Sequence, residues 1–403
     1  MPTADAPNTR RDLIVPTDRG LWCAAGNFHI DPWRPVERAV VTHAHADHAC
    51  PGCDHYLASP ATCDLLKVRI GPTIHATPLH FGKAVTERET RVTLHPAGHI
   101  LGSAQVRVEH TKTGAANLGT WCVSGDYKVD PHRQQDPTAE PFEPVACDTF
   151  LSETTFALPI YRWPDRSQIA RDINDWWRAN AAAGRTTVLL AYSLGKAQRV
   201  LRLLDPSIGP IGVHGAIPKL SAVYESHGVN LPTAVHADEN TAKDLKNGGV
   251  IVAPPSASSG PWIRRFAGPE GLRIAMVSGW MRVRGRRRWQ STDHGFVLSD
   301  HADWPGLIDA IKETGATRVG LTHGSASVMA RYLAEHEGLD SFVVPTRYTG
   351  EGDAEAADSN EVVETTDDTQ ISSPVADGGG GPAPAGSEGV PPHPESGPPE
   401  ATP

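Results

Sequence analysis

The chain has 403 residues, enough for two or three domains and a sizeable buried core. Its 37 Lys and Arg stand against 47 Asp and Glu, but 12 of those acids and none of the cations lie from Gly350 onward. The first 349 residues therefore carry 37 cations against 35 anions (47 less 12), the net charge of −10 belongs to the tail, and a polyanionic substrate stays open.

No apolar run approaches the ~20 residues of a membrane span, and the first thirty residues interleave Arg and Asp with no signal-peptide core. A soluble, cytoplasmic protein with no membrane partner is expected. Short apolar, β-branched runs alternate with helical periodicity, which predicts a layered α/β fold. In chain order, strands are expected at RAVVTH from Arg38, VTLHP from Val92, AQVRVEH from Ala104, WCVSGD from Trp121 and TTVLLAY from Thr186. Further strands are expected at GVIVAP from Gly249, RIAMVSG from Arg273, GFVLSD from Gly295 and RVGLTHG from Arg318. Helices are expected over Ser167–Ala183, with Ile169, Ile173, Trp176 and Trp177 on one face, over Gly195–Leu204, and after Asp303 and Ser325. The tail is rich in Pro, Gly, Ser and acids and should be disordered, because it cannot offset its ordering entropy by burial.

The chemistry gathers at strand ends. In VVTHAHADHA, His43, His45, Asp47 and His48 follow directly on an apolar strand. His43 and His45 project to one side of extended chain, and the turn beyond can bring Asp47 and His48 to the same pocket. Three imidazoles and a carboxylate within six residues suit a borderline metal such as zinc. His99, Asp126, His301 and His323 also end strand-like runs, and together these residues fit a two-metal pocket at one edge of a sheet. The six cysteines are too few for a disulfide framework in so long a chain. Cys50 and Cys53, even with His55 and Cys63 nearby, lack the second ligand pair of a zinc finger. Lys196, Gln198 and Arg199 stand where a strand gives way to a helix, a place that favours phosphate. GWMRVRGRRRWQ concentrates Arg282, Arg284, Arg286, Arg287 and Arg288 beside Trp280 and Trp289, a composition suited to a single-stranded nucleic acid.

The HxHxDH signature and the later motifs, in this order from Gly20 to Thr346, resemble the metallo-β-lactamase superfamily and, within it, the β-CASP branch of nucleic-acid-processing nucleases. Asp31 resembles the first acidic motif, which orients the ligand loop. His99 and Asp126 match the third and fourth motifs. Glu153, His301 and His323 match the three motifs added in the branch. GNFHIDPWRPVERAVVTHAHADHA, PAGHILGSAQVRVE, SGDYK and LSDHADWPGLI look most like the bacterial ligase-associated DNA exonucleases, relatives of the Artemis group also labelled mRNA 3′-end processing factors.

The resemblance implies an α/β fold, a metallo-β-lactamase αββα sandwich with an inserted α/β cap. Residues 1–157 would form its first part, 158–290 the β-CASP cap, 291–349 its C-terminal part and 350–403 the tail. It implies two Zn2+ per chain, with Mn2+ as the alternative: His43, His45 and His99 hold one, Asp47, His48 and His323 the second, and Asp126 bridges. Asp47, His301 and Glu153 carry over as catalytic residues, His301 as general acid and Glu153 as its orienting partner. A shared water of lowered pKa would attack phosphorus in line with the departing 3′ oxygen. Lys196 and the arginines from Arg282 to Arg288 would contact the nucleic acid.

The implied function is a DNA exonuclease in end processing and repair, beside an ATP-dependent DNA ligase and a helicase. The alternative is an RNase of the same branch processing RNA 3′ ends, because His323 stands where RNA-processing members typically carry His. A thioester or lactam hydrolase would share the metal ligands but would need neither the cap, Glu153, His301 nor the Arg-rich run. A non-catalytic scaffold would have lost ligands, and none is lost.

Overall fold

A computed structural model describes residues 12–130, 136–283 and 292–347. Arg284, Arg286, Arg287, Arg288 and the 350–403 tail lie outside the described residues. Six short strands, β1 (Val15–Thr17), β2 (Gly20–Cys23), β3 (Phe28–Ile30), β4 (Arg38–Val40), β5 (His55–Ala58) and β6 (Ala76–Pro78), form a first sheet in sequence order. A second sheet begins with β7 (Ala84–Glu87), β8 (Thr90–Pro96), β9 (Ala104–His110), β10 (Thr120–Val123) and β11 (Thr149–Glu153). Alternation along β8 and β9 turns Val92, Leu94, Val106 and Val108 inward, where they join Ile30 and Val40 of the first sheet in one core. Helix α1 (Pro60–Arg69) covers the outer face of the first sheet. It starts where the Ser59 hydroxyl accepts the Thr62 N–H and Pro60 occupies the first turn.

A third sheet follows in sequence. Strands β12 (Thr186–Leu190), β13 (Ile211–Val213), β14 (Val235–His236), β15 (Val250–Ala253), β16 (Leu272–Val277) and β17 (His294–Phe296) all pair in parallel, in the order β14-β13-β15-β12-β16-β17. Every residue of β12 and β15 is buried, as expected for a parallel sheet covered on both faces. Ile169, Ile173 and Trp177 of α2 (Arg166–Ala182), with Ala197, Val200 and Leu201 of α3 (Lys196–Leu201), pack on one face, and Ile263 and Met281 on the other.

The chain then rejoins the second sheet. β18 (Arg318–Thr322) lies parallel to β11, with Glu153 opposite Thr322, and β19 (Asp340–Val343) completes the edge. Two strands that are neighbours in space are thus separated in sequence by an entire third sheet, the topology of an insertion. The helices Trp304–Glu313 and Ala326–Tyr332 cover the outer face of the second sheet. The fold class is α/β, an αββα sandwich carrying an inserted α/β unit, as the resemblance implied. One boundary needs correction. β17, expected beyond residue 290 in the sandwich, pairs with β16, so the third sheet runs through Phe296. Its hydrogen-bonding edge is taken up by the inserted unit, which the apolar run GFVLSD alone does not reveal.

Candidate metal centre

The ligand candidates follow the ends of strands that approach one edge of the sandwich: Thr42–His48 after β4, His99 after β8, Asp126 after β10 and His323 after β18, with Glu153 closing β11. Asp31 organises the first loop. Its carboxylate accepts the Thr42 N–H at 2.8 Å and the Thr42 hydroxyl at 2.6 Å, and lies 2.7 Å from His48 Nδ1. Asp31 itself has φ 45°, a left-handed conformation that Asp and Asn tolerate better than most residues.

Hydrogen-bond partners on the outside of the cluster assign the tautomers within it. The Thr42 hydroxyl proton goes to Asp31, so the oxygen 3.1 Å from His43 Nδ1 accepts there and His43 Nε2 keeps its lone pair. His45 Nε2 donates to the Leu194 carbonyl at 3.2 Å, and His99 Nδ1 to the Asp300 carbonyl at 2.8 Å. The three remaining nitrogens face one another, His45 Nδ1 lying 3.0 Å from His43 Nε2 and 3.1 Å from His99 Nε2. Lone pairs aimed at each other over that distance form no hydrogen bond, and a cation resolves the conflict. The residues present therefore fit a metal ion, and this outer ring of partners is what metal-binding histidines require.

A second group adjoins the first. His48 Nε2 lies 3.5 Å from Asp126 Oδ2 and 3.6 Å from Asp47 Oδ2, and the His48 and His323 ring centroids are 5.6 Å apart. Asp126 Oδ2 also lies 3.7 Å from His43 Nε2 and 3.8 Å from His99 Nε2, so one carboxylate stands between the two groups. Asp47 Oδ1, His48 Nε2 and His323 Nδ1 are buried without a hydrogen-bond partner, the mark of groups that await a ligand. The structure thus gathers His43, His45, His99 and Asp126 into one possible ligand set and Asp47, His48 and His323 into another.

Burial and the neighbouring charges shift the titration of these groups in both directions. Burial, and then the neighbouring His48, His99 and His45, hold His43 well below the ordinary imidazole range. Burial and His301 do the same to His99, and burial lowers His323. Burial pulls His48 down as well, but Asp126, Asp47 and Asp31 hold it well above its usual value. For Asp126 burial acts upward, yet His48, His301 and His43 keep it well below the carboxylate range. An anion surrounded by imidazoles is a suitable bridge between two cations.

His301 stands beside this cluster, its ring centroid 4.6 Å from that of His99. Its Nδ1 lies 2.9 Å from both oxygens of Glu153, which also accept the Tyr127 N–H at 2.8 Å and the Thr155 hydroxyl at 2.5 Å. Phe156 packs against His301 at 5.8 Å and against Trp280 at 4.6 Å, joining the site to the turn that carries exposed Arg282.

Lys196 requires correction. Expected as a phosphate contact, it is 0% exposed and ion-paired with Asp300. Its helix is short and packed inward, so the cation meets a carboxylate of the sandwich. Thr42 and the Leu194 and Asp300 carbonyls escaped the sequence reading. Thr42 adjoins the motif and so had a signal, whereas backbone carbonyl acceptors carry none in side-chain identity. Cys50 and Cys53 lie 3.8 Å apart, Cys63 is turned to the Ala58 carbonyl, and no cysteine joins a metal-binding group among the described residues.

Asp31→Asn is expected to weaken metal retention about 10- to 100-fold, because the amide nitrogen cannot accept from Thr42 or His48 while the backbone conformation survives. Competition with a chromogenic chelator measures this, and parental affinity in the variant would remove Asp31 from the support of the site.

No family model matches the chain. A protein named probable DNA ligase from Opitutus terrae is 34% identical over 333 residues, covering 82% of this chain and 31% of that protein. Transcription termination factor FttA from Methanosarcina mazei is 26% identical over 235 residues, 49% of this chain and 36% of that protein. The factor of the same name from a Lokiarchaeum species is 26% identical over 251 residues, 53% of this chain and 38% of that protein. The chain spans about a third of the length of these curated relatives. No helix among the described residues is long and apolar enough to cross a membrane.

Proposed function

We propose that this chain, which resembles the β-CASP branch of the metallo-β-lactamase superfamily in fold and in the order of its motifs, is a metal-dependent phosphodiesterase that acts as a DNA exonuclease in end processing and repair. The observation that carries the reading is the convergence of three imidazole lone pairs on one point, with Asp126 between them and the Asp47–His48–His323 group and with His301 alongside. The choice of DNA is supported by the 34% identity to a protein named probable DNA ligase. A cytoplasmic ATP-dependent ligase and a helicase are the partners proposed, and two zinc ions the resident metals.

When bound, the two ions would supply a water of lowered pKa and neutralise phosphate charge. His43, His45 and His99 would hold one ion, Asp47, His48 and His323 the other, and Asp126 both. Glu153 fixes the proton of His301 on Nδ1, so that transfer to the departing oxygen would go through Nε2. Half-buried Trp280, which packs on buried Phe156, and exposed Arg282 offer an aromatic and cationic approach for a strand, and Arg284, Arg286, Arg287 and Arg288 are proposed as further contacts with it. In this division the β-CASP cap runs from 158 through Phe296, between the two parts of the sandwich.

The second reading, an RNase processing RNA 3′ ends, is favoured by His323 and by relatives named transcription termination factor. End-labelled DNA and RNA of one sequence, incubated with zinc or manganese and with chelator, separate the two. Stepwise shortening of DNA, stopped by chelator, is expected. Preferential shortening of RNA would establish the alternative, and inertness toward both would end the nuclease reading.

A further inference from the structure

The turn that leads from β12 into α3 belongs to the inserted unit, yet it reaches the metal centre at three points. The Leu194 carbonyl takes the Nε2 proton of His45 at 3.2 Å. Arg199 Nη2 donates to the His99 carbonyl at 2.9 Å, and Nη1 lies 3.5 Å from the Ser299 carbonyl. Lys196 pairs with Asp300, whose own carbonyl takes the His99 Nδ1 proton at 2.8 Å. The approach depends on Gly195, which has φ 84° and where a Cβ would meet Ile100 Cγ2 at 2.3 Å.

These cations are costly to hide. Lys196 is 0% and Arg199 1% exposed, and a buried charge persists only where it is paired and hydrogen-bonded. Arg199 Nε lies 2.6 Å from Asp136, which also draws Lys128 and Arg166 to 3.8 Å. Apolar residues could join two domains with less desolvation. What charged pairs add is direction: Arg199 donates to the backbone carbonyl of His99, and Lys196 holds the carboxylate of Asp300, the residue whose carbonyl accepts from His99 Nδ1.

We infer that Lys196 and Arg199 are positioning residues that lock the inserted unit onto His99 and Asp300 and so set the metal affinity of the His43–His45–His99 group. The inference rests on the reading of those imidazoles as metal ligands. It also makes that affinity a property of both parts of the fold, since His45 and His99 are each held on the outer side by the inserted unit or by a residue clamped to it.

Zinc titration of the full chain, stripped of metal and read with a competing chromogenic chelator, tests this when combined with the melting temperature of the metal-free protein. Lys196→Met alone should lower both, because Asp300 is left buried and unpaired. Lys196→Met with Asp300→Asn removes both charges and should restore the metal-free melting temperature, yet leave one of two zinc equivalents about 10- to 100-fold weaker. Parental zinc affinity in that double variant would overturn the inference, because the pair would then serve stability alone. Should the double variant stay unstable, Arg199→Lys carries the same test, since it keeps a cation on Asp136 but lacks the fork that reaches the His99 carbonyl. Weakened zinc binding with a parental melting temperature is expected, and parental affinity overturns the inference. A parent chain that binds no zinc would instead overturn the metal-centre reading itself.

Discussion

His45→Ala is expected to bring nuclease activity to the assay background and to remove one of two bound metal equivalents, while the chain stays folded. His45 is the suitable probe because it is only partly buried, whereas His43 and His99 are each 0% exposed and their removal would open a cavity in the core. Its Nδ1 is the nitrogen shared by both short contacts of the cluster, so the alanine removes the point on which the other two converge. What remains, His43 and His99 with Asp126, offers too few donors for a closed tetrahedral site. Melting should show the same loss as linkage. A ligand bound only to the folded state stabilises by RT ln(1 + [L]/Kd), about 2.7 kcal/mol at a hundredfold excess over Kd, so added zinc should raise the melting temperature of the parent more than that of the variant. Metal analysis, activity and zinc-dependent melting on the same preparations check the prediction. Two equivalents retained with full activity would show that the imidazole cluster is not the catalytic metal site.

The residues that cluster at the candidate metal centre were legible in the sequence because each sits at the end of an apolar strand and carries an unusual side chain for that place. His43, His45, Asp47 and His48 announce themselves by density, and His99, Asp126, His301 and His323 by recurrence in the same context. The nine strands read from β-branched runs all exist, β9 with its bounds unchanged at Ala104–His110. Short strands such as Val15–Thr17 and Phe28–Ile30 escaped, since three residues are too few to establish a period of two. Lys196 and Arg199 were noticed for their charge and misplaced for want of their partners. Asp300 and Asp136 lie far off in sequence, and a local reading sees a cation at a helix start without seeing the carboxylate that the fold brings to it.

His301→Ala should lose about 10²- to 10⁴-fold in turnover, the usual span for a positioned acid, while keeping both metals and substrate affinity. Its Nδ1 is committed to Glu153, 2.9 Å from both carboxylate oxygens, a geometry that steadies the ring and leaves the chemistry to Nε2. The loss should shrink on a nitrophenyl phosphodiester, whose leaving group departs as the anion and needs no proton. Glu153→Gln should fall between the two: the amide still occupies the site, but it removes the charge that stabilises an imidazolium and upsets the acceptors for the Tyr127 N–H and Thr155 hydroxyl. His99→Ala, by contrast, should lose a metal and fail on both substrates alike. Because His301 also stands within reach of Asp126, with Nδ1 at 4.0 Å, a ligand role has a distinct signature. Equal losses on natural and activated substrates, together with reduced metal content, would move His301 from acid to ligand.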